Sequence, residues 1–303
     1  MNNNNYGFLF NDITIENNKL IKKSKNDFGS MKIEKEIGFY NNIIINKINI
    51  PIPKIYKLDI SNSLIEMKYL NNYSVLTNKF YKMNYEITIE KIKKEISVLH
   101  NYYIKNVDKE EFLLNILIET KDKITNRYYQ TNWEEIINFN KIKKVNNISI
   151  KNLNFYLDSI NEKITNIINS MSEYLFCYIH GDIHLGNILI NDNEKICFID
   201  PRGYFGNNNL IGLKEYDYAK LLFGISGYSI FDEMIINELE IIDNNLNIDF
   251  IDKYCIIYES NLFDEFTKLL SLSIWLGNNS NFINENKKIM SLMISYYLCE
   301  KYL

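Results

Sequence analysis

Residues 180–190, HGDIHLGNILI, and residues 197–203, CFIDPRG, are separated by a short polar turn. Their apolar residues predict two strands joined by the turn NDNE at 191–194. The first half of the segment does not fit a strand, because glycine weakens strands and polar side chains crowd it. Two of the chain's three histidines lie here, together with an aspartate and an asparagine. The prediction of the fold therefore depends on how this cluster of polar residues is explained.

One interpretation is a row of metal ligands. As a strand, the segment would place His180, Asp182 and His184 on one face, where they could bind zinc. A catalytic zinc usually takes three protein ligands, and the remaining histidine, His100, lies in a helical pattern typical of a core position. The glycines Gly181 and Gly186 also suit a loop better than a strand. The metal-histidine interpretation and a purely structural one stay open as alternatives.

A second interpretation is a loop for phosphoryl transfer. That reaction needs a carboxylate to orient the attacking hydroxyl and oxygen ligands to hold Mg²⁺ against the phosphates. Asn187 follows Asp182 by five positions, and Asp200 ends the strand ICFID thirteen positions later. This interpretation accounts for more of the polar residues than the metal-histidine one does.

The same residues resemble a known signature. HGDIHLGN followed by a strand ending in I-D is similar to the pattern H-G-D-x-H-x-x-N of the aminoglycoside phosphotransferase and choline kinase superfamily. The resemblance implies an α+β, two-lobed protein-kinase-like fold, with a small five-stranded N-lobe and a large helical C-lobe. The variant IDPRG resembles members of the superfamily linked to bacterial surface-carbohydrate biosynthesis.

The resemblance assigns roles to the residues that match it. Asp182 would be the catalytic aspartate, and Asn187 and Asp200 would bind Mg²⁺ (or Mn²⁺) with ATP as the phosphate donor. His180 would hold the catalytic loop by hydrogen bonds. Asp217, in EYDYAKLL, would support the same loop, although a surface helix position is the alternative.

The small lobe should supply a phosphate-anchoring lysine and its glutamate partner. NKLIKKSKND resembles the third strand of the family, and KIEKEIGFY resembles the helix after it. We choose Lys22 paired with Glu36, with Lys23 and Glu34 as alternatives. A solvent-exposed edge position is also open for either lysine.

A second part of the small lobe should bind the base of the nucleotide. LIEMKYL resembles the strand that leads into the hinge between the lobes, so Met67, Lys68, Tyr69 and Leu70 are expected near the adenine. The lobe contains no G-x-G-x-x-G, which disfavours a protein kinase, and the chain contains no G-x-x-x-x-G-K-[ST]. FNDIT at residues 10–14 is then the candidate cover for the phosphates.

Hydrophobic periodicity agrees with this plan. Up to about Leu70 the sequence alternates like strands around one helical segment, KIEKEIGFYNNI. From residue 71, segments such as ITIEKIKKEISVLHNYY carry apolar residues at i, i+3 and i+4. The sequence therefore predicts a nucleotide-binding N-lobe at 1–70. The helical C-lobe at 71–303 would carry the catalytic loop and the acceptor site.

Composition limits the classes of function. The 303 residues carry a net charge of −4 with a pI near 5.6, so no basic field indicates nucleic acid. The four cysteines are far apart and are expected to be buried free thiols of a cytoplasmic protein. MNNNNYGFLF lacks the features of a signal peptide, and no apolar run approaches the ~18 residues of a membrane span. The sequence does not indicate an oligomeric state.

The acceptor is less defined. Residues 232–265 are rich in Asp and Glu, which would attract a cationic substrate but equally fit solvated helix faces. Arg202 could bind a carboxylate or phosphate, and Trp275 could stack on a sugar or ammonium group, although structural roles are open for both. The sequence predicts an ATP-dependent phosphotransferase acting on a hydroxyl of a sugar, polyol or amino alcohol. An aminoglycoside kinase and a nucleotide-binding module without turnover are the alternatives.

Overall fold

The computed structural model describes residues 10–303, which form two compact units. The first unit comprises residues 10–105 and Leu175–Asp217, and the second comprises Asn106–Tyr174 and Tyr218–Leu303. This grouping places the HGDIHLGN segment with the N-terminal sheet. It is a division by packing, so the lobe boundary near residue 70 stays a prediction. The N-terminal residues expected not to form a signal peptide, 1–9, lie outside the described part.

The described residues form sixteen strands and twelve α-helices, besides short 3₁₀- and π-helical turns. The strands are β1 Asn11–Glu16, β2 Lys19–Ser24, β3 Ile55–Asp59, β4 Leu64–Lys68, β5 Tyr73–Val75, β6 Ile104–Asn106, β7 Lys144–Val145, β8 Ile148–Ser149, β9 Leu175–Tyr178, β10 Ile188–Asn191, β11 Ile196–Phe198, β12 Tyr204–Phe205, β13 Asn208–Asn209, β14 Ile211–Gly212, β15 Ile241–Ile242 and β16 Asn245–Leu246. The α-helices are α1 Asp27–Ile45, α2 Thr77–Phe80, α3 Tyr85–Tyr102, α4 Lys109–Leu117, α5 Lys123–Tyr128, α6 Ile137–Lys141, α7 Leu153–Ser170, α8 Lys214–Phe223, α9 Ser229–Phe231, α10 Asp249–Tyr254, α11 Glu265–Leu276 and α12 Glu285–Tyr302.

The N-terminal sheet of the first unit has the strand order β1-β2-β4-β3, with antiparallel neighbours. Its first hairpin turns at Asn17 and Asn18, whose φ angles of 49° and 63° suit the mirror-image turn that asparagine tolerates. The strands and the single helix expected before Leu70 are present. The resemblance implied a five-stranded N-lobe, and the described residues form a four-stranded N-terminal sheet. Gly7 lies outside the described residues.

Helix α1 covers this part of the unit. Its N-cap is Asn26, whose side chain accepts a hydrogen bond from the Gly29 N–H at 2.9 Å. Ile33, Ile37 and Tyr40 are fully buried at helical spacing. Glu36 shares this buried face, which places a carboxylate inside the unit.

The segment singled out by its motif forms a second sheet in the same unit. β10 pairs with β11 on one side and with β5 on the other, both antiparallel. The predicted strand–turn–strand over 188–198 is confirmed. The half before it, residues 179–187, leaves the sheet as a loop and a short 3₁₀ turn, Leu185–Asn187.

The second unit is mainly helical, as the periodicity predicted. Ile160, Ile164 and Ile168 of α7 are fully buried, and α11 packs against both α7 and α12. The sequence did not predict a small sheet here, ordered β15-β16-β7-β8. Its strands have two residues each, too few for a periodic signal.

The remaining global expectations concern thiols and membrane spans. All four cysteines are buried and free, as predicted. Within residues 10–303, no helix combines the length and apolar character that crossing a bilayer requires.

Candidate active site

The loop from His180 to Asn187 takes a course that a strand could not. Gly181 has a φ of +80°, a conformation that favours glycine. Beyond it, His184 caps the 3₁₀ turn that contains Asn187, and the Asn187 N–H donates to the His184 carbonyl at 2.9 Å. The polar residues thus belong to a tight loop ahead of β10 rather than to one face of a strand.

Asp217, near the start of α8, holds this loop through the main chain of His180 and Gly181. Its buried carboxylate accepts hydrogen bonds from the main-chain N–H groups of His180 (3.0 Å) and Gly181 (2.6 Å). It also accepts one from His100 Nε2 of α3 at 2.9 Å. Asp217 therefore occupies a buried position and not the exposed alternative. His100 was predicted only as a core residue, and its link to Asp217 was missed.

His180 is fully buried and packs edge-on against Phe39. Its Nδ1 accepts from the Asp182 N–H at 3.3 Å, so the ring proton lies on Nε2. Burial lowers the pKa of His180 despite the nearby carboxylates, led by Asp217, which raise it. The ring is therefore neutral at physiological pH. This arrangement fits a loop-supporting role, and it gives no support to the zinc interpretation.

Asp182 and Asn187 lie side by side in the loop. Asn187 Nδ2 donates to the main-chain oxygen of Asp182 at 2.9 Å and to its carboxylate at 3.3 Å. The amide nitrogen is thereby turned towards Asp182, so the amide oxygen is the atom that Asn187 can offer to a ligand. The Asp182 side chain is about one-third exposed, at 31%.

Lys22 of β2 joins α1 to the end of β11. Its ammonium lies 2.7 Å from Glu36 Oε2 and 2.8 Å from Asp200 Oδ1. Lys22 and Glu36 are buried, whereas the alternatives Lys23 and Glu34 are exposed. The predicted pairing of Lys22 with Glu36 is present, and Asp200 is a second partner that the sequence did not specify.

The three charges shift one another's ionisation. Burial lowers the pKa of Lys22, but the carboxylates of Asp200 and Glu36 outweigh it, so the pKa is raised and the ammonium stays charged. Burial raises the pKa of Glu36 to about 7, even though Lys22 opposes the shift. Burial would also raise the pKa of Asp200, but Lys22 dominates and lowers it. The Lys22 ammonium thus pairs with two carboxylates, of which Asp200 has the lower pKa and Glu36 the higher.

Asp200 itself adopts a conformation unusual for a residue other than glycine, with a φ of +55°. The following loop turns back onto α1: Gly203, at φ +67°, comes so close that an added Cβ would lie 2.8 Å from the Lys35 carbonyl. Lys35 also donates to Asn209 Oδ1 of β13 at 2.8 Å. The loop after Asp200 is therefore packed on the helix that carries Glu36.

The expected nucleotide-binding segment runs from the end of β4 into a turn. Met67 is buried and Lys68 is exposed, while Tyr69 and Leu70 are half-buried. The Tyr69 N–H donates to the Asn18 carbonyl at 3.0 Å. The Leu70 carbonyl accepts from the Tyr73 N–H at 3.1 Å. Contact of this segment with a base stays a prediction.

The expected phosphate cover, FNDIT, lies mostly in a strand. Asn11 to Thr14 are residues of β1, paired with Ser24 to Ile21 of β2. Its cover of the phosphates stays a prediction.

The two residues expected to bind the acceptor, Trp275 and Arg202, contact other side chains of the protein. Trp275 is fully buried, and its Nε1 donates to Ser226 Oγ at 3.0 Å. A buried ring cannot stack on an acceptor molecule, so that expectation is wrong and Trp275 is a core residue. The Arg202 guanidinium stacks 3.8 Å from the Tyr204 ring centroid, and its Nη1 donates to the Tyr216 hydroxyl at 2.7 Å. The acidic side chains of 232–265 are mostly exposed, in keeping with solvated faces.

The donor atoms of the loop fit magnesium. Asn187 offers an amide oxygen and Asp200 a carboxylate, which are oxygen ligands of the kind Mg²⁺ prefers. Within residues 10–303, no three His, Cys, Asp or Glu side chains are grouped so that they could hold a metal.

Comparisons with known proteins address the fold. No protein-family model and no curated sequence matches the chain. Solved structures do match: choline kinase LicA from Streptococcus pneumoniae is 13% identical, with a TM-score of 0.55 over 96% of this chain and 90% of that one. The streptomycin–ATP complex of APH(2″)-IIa is 15% identical, with a TM-score of 0.53 over 97% and 90%. A glucosamine kinase is 8% identical, with a TM-score of 0.52 over 93% and 72%.

The chain has the aminoglycoside phosphotransferase and choline kinase fold. The α+β, protein-kinase-like fold predicted from the motif is thereby confirmed. At these identities the likeness concerns the fold alone. It does not extend to the IDPRG variant, whose link to surface carbohydrates stays a prediction.

Proposed function

We propose that the chain is an ATP-dependent phosphotransferase that moves the γ-phosphate to a hydroxyl group of a small metabolite. The observation that carries the proposal is the buried Lys22–Glu36 pair, whose ammonium also contacts Asp200. The same unit holds Asp182 and Asn187 in one loop. Phosphoryl transfer requires a cation for the phosphates, oxygen ligands for the metal and a carboxylate for the acceptor.

Each residue has a part in this proposal. Lys22, held by Glu36, anchors the phosphates, and Met67 to Leu70 receive the base. Asn187 and Asp200 hold Mg²⁺, which when bound neutralises charge on the phosphates. Asp182 orients the acceptor hydroxyl and takes its proton. His180 and Asp217 keep the loop in place.

For the acceptor we propose a sugar, polyol or amino alcohol. The proteins of similar fold include kinases named for aminoglycosides, choline and glucosamine, which supports a small hydroxylated molecule only by analogy of fold. The four buried free thiols suit the reducing cytosol, where ATP is plentiful. The complete set of Asp182, Asn187 and Asp200 disfavours a binding module without turnover.

The test is an ATP-consumption screen of the purified chain with Mg²⁺ over amino alcohols, sugars, polyols and aminoglycosides. We expect turnover with an acceptor of the first three classes, and loss of it in Asp182→Asn. Turnover confined to aminoglycosides, together with resistance in a sensitive host, would support the antibiotic-kinase alternative. ATP binding with no turnover on any acceptor would contradict the proposal.

A second measurement addresses the metal. Activity should require Mg²⁺ or Mn²⁺ and survive the removal of trace zinc. Stoichiometric zinc that is lost together with activity would instead revive the metal-histidine interpretation.

A further inference from the structure

The second histidine of the motif, His184, has been described so far only as the cap of the 3₁₀ turn at Leu185–Asn187. Its side chain is about four-fifths buried, with 19% exposed. Its Nδ1 accepts a hydrogen bond from the Gly186 N–H at 3.1 Å, and its Nε2 lies 3.9 Å from Asp182 Oδ2. The ring therefore lies between the start of the 3₁₀ turn and the carboxylate of the catalytic loop.

The hydrogen bond to Gly186 fixes the protonation pattern of the ring. A nitrogen that accepts from a main-chain N–H carries no proton, so in the neutral ring the proton lies on Nε2. That N–H edge is the one that faces Asp182.

Gly186 makes room for this placement. A Cβ added at position 186 would lie 2.8 Å from Cε1 and 3.0 Å from Nδ1 of His184. Any larger residue must displace the ring. The absence of a side chain at Gly186 thus allows the position of the His184 ring. A role as a cap alone would not require the ring to point at Asp182.

We propose that His184 is a positioning residue for Asp182. Its Nε2–H, together with Asn187 Nδ2 at 3.3 Å, holds Oδ2 of the carboxylate and fixes the face presented to the acceptor hydroxyl. The 3.9 Å separation is longer than a hydrogen bond, and such contacts often tighten only when substrate is bound. This inference rests on the proposed phosphotransferase function.

The variant that separates the two roles is His184→Asn. Asparagine is a good N-cap and can still accept from the Gly186 N–H, but its amide is too short to face Asp182. We expect kcat to fall by about ten- to a hundredfold, because a misplacement of up to 1 Å can cost that much, while the KM for ATP and the melting temperature stay unchanged. His184→Ala removes the cap as well, so it should lower both kcat and the melting temperature.

Gly186→Ala tests the same geometry with the histidine retained. The displaced ring should give the same loss of kcat as His184→Asn. The double variant His184→Asn/Gly186→Ala should be no worse than either single one, because both changes remove one interaction. Losses that multiply, or a normal kcat in His184→Asn, would overturn the inference while leaving the phosphotransferase proposal intact.

A readout independent of turnover is the ¹⁵N spectrum of the imidazoles. Only three histidines occur, and His184→Asn assigns the signals. We expect a protonated Nε2 and a bare Nδ1 at position 184. A proton on Nδ1 would overturn the inference even in an active enzyme, and a wild-type chain without turnover would remove both proposals together.

Discussion

At the scale of single residues, Lys22 makes the central contacts of the candidate site. Its ammonium is shared between Glu36 and Asp200, and a buried cation of this kind cannot be replaced without leaving charge unpaired. Lys23, one residue on, points to the other face of β2 and is exposed.

If Lys22 anchors the phosphates as we propose, Lys22→Ala should reduce turnover by a factor of about a hundred or more, because it removes that fixed charge. Lys23→Ala is the matched control and should keep turnover within about twofold, since exposed charges contribute little. The measurement is kcat/KM for ATP. The opposite ranking would place the anchoring lysine one position later, on the other face of the strand.

Glu36 predicts a dependence of stability on pH. Its pKa is raised to about 7 in the fold from 4.5, so between these values the native state binds more protons than the unfolded state. Stability from this group is present at low pH and is lost as pH rises towards 7. The loss over this whole pH range should be about 3–4 kcal/mol, given ~1.4 kcal/mol per pKa unit.

The measurement is the free energy of unfolding at pH 5 and pH 8 for the native chain and for Glu36→Gln. The variant should lose this part of the slope. Asp200 does not confuse the comparison, because its pKa is lowered from 3.8 and its stabilisation is lost only at pH values below that. An unchanged slope in Glu36→Gln would show that Glu36 ionises normally.

The residues that sequence could and could not locate differ in the signal they carry. Alternation along β2 separated Lys22 from Lys23 by face but did not show which face is buried. The choice of Lys22 with Glu36 followed from the family resemblance, and both side chains are buried. Trp275 gave the same apolar helical signal that a core residue gives, so the pattern could not choose between them. His100 lies 117 residues from Asp217, and no local pattern reports a hydrogen bond across that separation.

At the scale of elements, the loop after Asp200 is fitted to α1. Gly203→Ala should destabilise the chain by about 1–3 kcal/mol, because it strains a positive φ and drives a Cβ against the Lys35 carbonyl. Gly38→Ala, in α1 itself, is the control: its Cβ would meet nothing within 4 Å. It should stabilise the helix by about 0.5–1 kcal/mol.

Denaturant unfolding of both glycine variants gives these differences directly. If Gly203→Ala were as stable as the native chain, the close packing of this loop on α1 would not exist in solution.

The start of α8 is joined to the loop from His180 to Asn187 through Asp217. Asp217→Asn keeps one acceptor oxygen but turns an amide NH₂ towards groups that already donate. Because the side chain is fully buried, the loss should be about 2–4 kcal/mol. Asp192→Asn is the matched change in an exposed ion pair with Lys79 and should leave the free energy of unfolding nearly unchanged. Equal stability of the two variants would contradict the anchoring role.

Long elements were predictable and short ones were not. Helices α3 and α7 carry apolar residues through several turns, so their period is clear. The two-residue strands β7, β8, β15 and β16 have no period to read. Their hairpins did carry a turn signal, asparagine pairs with positive φ at 146–147 and a similar pair at 243–244. The general abundance of asparagine in this chain hid that signal.

At the scale of the whole molecule, a fold persists where sequence identity is as low as 8–15%. A pattern of buried and exposed positions is enough to specify such a fold, and many sequences satisfy it. The chemistry depends instead on a few residues, which is why a motif of eight positions was more informative than the other parts of the chain.

Stability of the entire chain offers a last test of the site, because a ligand that binds only the folded state raises the melting temperature. Mg·ATP at a hundred times its Kd contributes ~2.7 kcal/mol, which corresponds to a rise of several degrees. Asp182→Asn should keep this rise, because Asn187 and Asp200 supply the metal ligands, yet lose turnover by about 10²–10⁴-fold. Asp200→Asn should lose both the rise and the turnover, and EDTA should abolish the rise in the native chain. If Asp182→Asn kept near-normal turnover, the loop from His180 to Asn187 would not be the catalytic loop of a phosphotransferase, whatever its fold.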